Sequence, residues 1–131
     1  MNAYSGLYFA YEDYIRSGFT LLTGKPTKDR FGAKLLKEAF DEKTVMDCYE
    51  CTKILDARLI RHAIAHASGR MTRDIKASNV KVEENGGMLV ITAEHTTELY
   101  HLLKKCALIY AKAVVDRLQA PPPAPVQPQT I

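Results

Sequence analysis

Arg61, His62 and His66 are the side chains whose types and spacing could do chemistry. In Arg61-His62-Ala63-Ile64-Ala65-His66 an arginine precedes a histidine by five residues, and a second polar residue follows the arginine directly. Histidine exchanges a proton near neutral pH, and arginine offers a rigid fork of donors suited to charge on a phosphate. Together they could act as general base and charge stabiliser with no metal ion. Composition alone offers a plainer account, in which cations near a helix C-terminus simply suit the negative end of the dipole. On an ideal helix His62 and His66 stack on one face, whereas Arg61 and His66 lie about 140° apart. Both can address one cleft only if Arg61 stands at its edge or the helix is distorted.

A second constellation shares two of these residues. Cys48-x2-Cys51 followed by His62-x3-His66 has the ligand types of a two-cysteine, two-histidine zinc finger, and Leu59 sits three before the first histidine. The segment between the pairs, Thr52 to Arg61, has no turn residues and reads as helix. Cys51 and His62 would then lie roughly 16 Å apart at about 1.5 Å per residue, too far to share an ion. The zinc reading is therefore set aside, and no metal or other cofactor is expected. A metalloprotease helix would need a glutamate where Ala63 stands. Cys48 and Cys51 are read as buried packing, the usual fate of free cysteine.

Helices must carry this motif. Tyr4, Leu7, Tyr8, Tyr11, Ile15, Phe19 and Leu22 recur at spacings of three and four, which predicts an amphipathic first helix that Gly24 and Pro26 stop. Phe31, Leu35, Leu36, Ala39 and Phe40 predict a second helix reaching about Phe40. A third helical stretch starts near Asp41, carries the motif and ends at Ser68-Gly69; its length suggests two helices with a bend. Val80–Glu83 and Met88–Thr92 flank Asn85-Gly86-Gly87, a hairpin signal because Asn-Gly supplies the positive φ angles of a tight turn. Helical periodicity returns from Glu94 to about Leu118 through Leu99, Leu103, Cys106, Tyr110 and Ala113. Residues 119–131 hold five of the six prolines and read as an extended or disordered tail, leaving residues 1–118 as one domain.

Composition sets the outer limits. A chain of 131 residues, 47% hydrophobic and 25% charged, can bury one real core, and a net charge of +3 neither requires nor forbids a polyanionic partner. No apolar run approaches the roughly 20 residues of a membrane-spanning helix, and the N-terminus lacks a signal peptide's pattern. Three cysteines without a secretory signal predict reduced thiols and a cytoplasmic protein.

Leu59-Ile60-Arg61-His62-Ala63-Ile64-Ala65-His66-Ala67-Ser68-Gly69 resembles the R-x4-6-H signature of HEPN domains, helical bundles of RNA-cutting toxins and antiphage defence proteins. His62 stands where asparagine is commoner in that family. The resemblance extends in pattern over residues 1–118: an opening helix with an acidic residue amid aromatics (Tyr8-Phe9-Ala10-Tyr11-Glu12-Asp13-Tyr14), a motif helix and a closing helix. It implies a mainly all-α bundle of four to five helices with a small β-hairpin before the last long one. It also implies a homodimer whose facing motifs cleave RNA through the 2′-hydroxyl, with Arg61, His66 and His62 as catalytic residues. DNA, lacking that hydroxyl, would be spared. An antitoxin or regulatory domain is the further partner implied. Arg58, Arg70 and Arg73 flank the motif and would put positive charge along an RNA backbone. Glu12 or Asp13 would reach the cleft, while His95 and His101 read as surface. Some HEPN proteins have lost activity and serve as dimerising, protein-binding or RNA-binding modules, which is the alternative reading.

Overall fold

The computed structural model describes residues 2–27 and 31–120. It is mainly α, with a small two-stranded antiparallel hairpin ahead of the last long helix. Helix α1 (Ala3–Thr23) begins where the Asn2 side chain accepts a hydrogen bond from the Ser5 N–H at 2.8 Å, and it ends at Gly24, whose φ of 70° is left-handed. Its buried face is Tyr4, Tyr8, Tyr11, Ile15 and Phe19, as the periodicity demands. This face packs on the closing helix α6 (Ala93–Gln119) and on α4 (Thr52–His66).

The second helix is shorter than expected: α2 covers only Ala33–Leu36. Beyond it the Glu38 and Ala39 N–H groups bond back three residues, to Leu35 and Leu36, which tightens the chain out of α geometry. Phe40 turns inward beside Tyr110, with ring centres 5.0 Å apart, and Asp41 caps the next helix by accepting from the Thr44 N–H. The bend in the third stretch is now placed. Helix α3 (Glu42–Val45) runs into a π-helical turn over Met46–Glu50, and Cys51 is extended at φ −64°, ψ 151° before α4 starts. Cys48 and Tyr49 of that turn are buried, and Tyr11 Oη donates to the Cys48 carbonyl.

Gly69 N–H bonds back to the Ala63 carbonyl as α4 ends, with Ser68 and Gly69 at positive φ. Helix α5 (Arg73–Ala77) follows, its first turn capped by Thr72. In the hairpin, β1 (Glu83–Asn85) pairs with β2 (Met88–Val90), Asn85 opposite Met88. The strands are shorter than expected, and the two turn residues are Gly86 (φ 59°) and Gly87 (φ 82°) rather than Asn85 and Gly86. A turn with two positive φ angles strains Asn more than Gly. The hairpin is tied to the exit of α4 by Leu89 N–H to Gly69 carbonyl and Met71 N–H to Gly87 carbonyl, both 2.8 Å.

Helix α6 opens with a capping box in which Thr92 Oγ1 accepts from the His95 N–H and His95 Nδ1 accepts from the Thr92 N–H. His95, expected at the surface, thus has a structural task. The proline-rich stretch falls outside the described residues from Pro121 onward. No helix among the described residues is long and apolar enough to cross a membrane.

Candidate functional site

Helix α4 is seated by Ile54, Ala57, Ile60 and Ala63, all buried, so its other side is free to carry polar chemistry. Leu55, Leu59, His62 and His66 follow one another at steps of four, three and four and share a face. His62 and His66 are exposed, and their rings lie 4.6 Å apart, centre to centre, tilted by 46°. The i, i+4 spacing read from the sequence therefore produces the paired histidines expected.

Arg61 points elsewhere. Its side chain is half-buried, and Nη1 lies 4.0 Å from Glu12 Oε2 on α1. Glu12 also meets Arg16, Oε1 to Nη2 at 3.7 Å, so one carboxylate serves two guanidiniums across two helices. Partly exposed pairs at such distances contribute at most about 1 kcal/mol, so Glu12 orients Arg61 more than it stabilises the fold. Of the two acidic residues considered on α1, Glu12 meets the motif helix and Asp13 is exposed.

The three flanking arginines have different fates. Arg58 Nε donates to Tyr8 Oη at 2.8 Å, its Nη2 donates to the Tyr49 carbonyl at 3.0 Å, and its guanidinium lies 4.2 Å from the Tyr49 ring centre. Burial pushes the Tyr8 hydroxyl up to about 12 despite the lowering effect of Arg58 beside it, so Tyr8 stays protonated. Arg70 and Arg73 are exposed, one in the loop after α4 and the other opening α5, and neither forms an ion pair among the described residues.

The cysteines lie apart from the histidines. Cys48 Sγ donates toward the Cys106 carbonyl at 3.6 Å and Cys106 Sγ toward the Asp47 carbonyl at 3.5 Å, knitting the π-turn to α6. Burial raises these thiols to about 12 and about 11, so both remain protonated. Although the chain does break at Cys51, α4 is continuous from Thr52 to His66, which keeps Cys51 and His62 roughly 16 Å apart. Among the described residues no three His, Cys, Asp or Glu side chains gather to hold a metal ion.

A cleft of about 570 Å³ lies between the chain around Phe40–Asp47 and the end of α6. Lys43 and Lys112 on its rim are already paired with Asp47 and Asp116 at 2.7 Å, and no motif residue lines it. The chemistry-bearing groups of α4 and α1 are thus a pair of adjacent histidine rings in solvent and, one residue away along the helix, a guanidinium beside Glu12. Two features escaped sequence reasoning: the anchoring of Arg58, whose partners Tyr8 and Tyr49 lie on other elements fifty and nine residues away and so give no local signal, and the His95 cap, for which Thr92-x2-His95 is a weak variant of the usual capping box. Compared with family models, curated proteins and solved structures, the chain shows no match in any of the three.

Proposed function

We propose that this chain is a HEPN-like, metal-independent endoribonuclease of the cytoplasm, acting as a homodimer in a toxin or antiphage defence system. The observation that carries the proposal is a solvent-facing His62–His66 pair on α4 with Arg61 one residue along the same helix, its guanidinium 4.0 Å from Glu12 on α1. His66 takes the proton of a ribose 2′-hydroxyl, and the freed oxygen attacks the adjacent phosphorus. The bond from phosphorus to the 5′-oxygen breaks, and the equivalent histidine of a second protomer protonates the leaving oxygen. A 2′,3′-cyclic phosphate and a 5′-hydroxyl remain. Arg61 neutralises the charge that builds on the phosphate, and His62 orients the reacting histidine. Exposed Leu55, on the histidine face of α4, and exposed Phe9, on α1, supply apolar surface that supports the dimer.

The test is incubation of purified protein with total RNA in excess chelator, beside an Arg61→Ala, His66→Ala double variant. Both histidines and Arg61 are at least partly exposed, so the variant should keep its fold by circular dichroism while losing cleavage. Equal cleavage by parent and double variant would remove the proposal. A folded, dimeric parent that binds RNA and never cuts it would favour the non-enzymatic module.

A further inference from the structure

His62 and His66 make no hydrogen bond or ion pair among the described residues, and both rings are open to solvent. They sit on the same helix at i and i+4, the spacing by which a single helix presents two imidazoles to one metal ion. Two metal–nitrogen bonds of about 2.0–2.1 Å at a tetrahedral angle set the nitrogens roughly 3.4 Å apart, which rings centred 4.6 Å apart reach by turning about their side-chain bonds. His66 is also the last residue of α4, where the helix presents its negative end and favours a bound cation.

We infer that His62 and His66 form a two-ligand site for a divalent transition-metal ion, and that an ion held there blocks the proton transfer assigned to His66. The site stands on the geometry of the pair; its inhibitory consequence rests on the ribonuclease reading. With no third protein ligand gathered nearby among the described residues, water fills the remaining positions, so the ion exchanges readily and does not build the fold. Imidazole suits nickel and zinc alike. An ion on the imidazole nitrogens occupies the lone pairs that a general base needs, so metal lowers activity and chelation restores it.

The experiment is calorimetric titration of the untagged full chain with Ni2+ and, separately, Zn2+. One ion should bind per chain, and His62→Ala or His66→Ala should each weaken Ni2+ binding at least tenfold. His101→Ala, which removes an exposed histidine of α6, should bind as the parent does. Circular dichroism shows that each variant is folded. Ni2+ binding by His62→Ala and His66→Ala equal to the parent's overturns the site. In a second arm, saturating Zn2+ should suppress RNA cleavage and excess chelator should restore it; cleavage that proceeds unchanged with Zn2+ bound overturns the inhibition. A parent that cuts no RNA under any condition removes the ribonuclease reading and the inhibition with it, while the titration still decides the site.

Discussion

Replacing Arg58 by alanine removes three interactions at once: Nε to Tyr8 Oη at 2.8 Å, Nη2 to the Tyr49 carbonyl at 3.0 Å, and the guanidinium over the Tyr49 ring at 4.2 Å. A hydrogen bond from a partly exposed charged donor contributes about 1–1.5 kcal/mol net, and the ring contact adds about 1 kcal/mol. The expected loss is therefore roughly 3–4 kcal/mol, a drop in Tm of about 10–15 °C for a domain of this size. Arg58→Lys keeps the charge and cannot reproduce the fork, so it should recover less than half. Tyr8→Phe removes only the Nε acceptor and should cost about 1 kcal/mol; the double variant should show a coupling near that value. Urea denaturation followed by circular dichroism measures the parent and the four variants, and filter binding measures their affinity for RNA. An Arg58→Ala variant that unfolds within about 0.5 kcal/mol of the parent and loses RNA affinity would refute this role, because the guanidinium would then serve the ligand and not the fold.

Gly18 of α1 has Tyr110 against it, and a Cβ there would lie 2.6 Å from the ring and 2.8 Å from Oη. Tyr110 is held by Phe40 and by its bond to the Ile15 carbonyl, so Gly18→Ala should lose about 1–2 kcal/mol by denaturation instead of the ~1 kcal/mol gain usual within a helix. Burial raises Cys48, Cys106, Tyr4, Tyr8, Tyr11 and Tyr110, so the folded state keeps protons that the unfolded chain sheds from about pH 8.5 to 10. Their contribution is whole below that range and declines as pH rises toward the folded values; the urea midpoint should fall between pH 8 and 10, and a constant midpoint would contradict it. The same burial should leave Cys48 and Cys106 unlabelled by iodoacetamide at pH 8 until denaturant is added, as peptide mass spectrometry would show. His62→Asn should keep much of any ribonuclease activity and His62→Ala should lose most of it, measured as initial rates.

The long helices were legible because their apolar residues repeat over many turns, and α1 and α6 end within a residue or two of where periodicity and Gly24 place their limits. The Met46–Glu50 π-turn was not, because nothing from Asp41 to His66 is Gly or Pro. The distortion comes with long-range bonds from Tyr11 to the Cys48 carbonyl and between Cys48 and the Cys106 carbonyl. Phe40 reads as one more helical residue until Tyr110, seventy positions on, draws it inward. Within the site, the pairing of His62 with His66 follows from spacing alone, whereas the choice of Glu12 over Asp13 as the partner of Arg61 depends on how α1 is rotated against α4. Arg58 looked like a free cation because its acceptors lie fifty and nine residues away along the chain.

The most direct measurement is the chemistry of RNA ends after digestion in excess chelator. Fragments from the parent should carry 2′,3′-cyclic phosphates and 5′-hydroxyls, so that they ligate only after the phosphate is removed, and the same RNA with His66→Ala should stay intact. Fragments with 5′-phosphates, or cutting that needs added magnesium or zinc, would contradict the account.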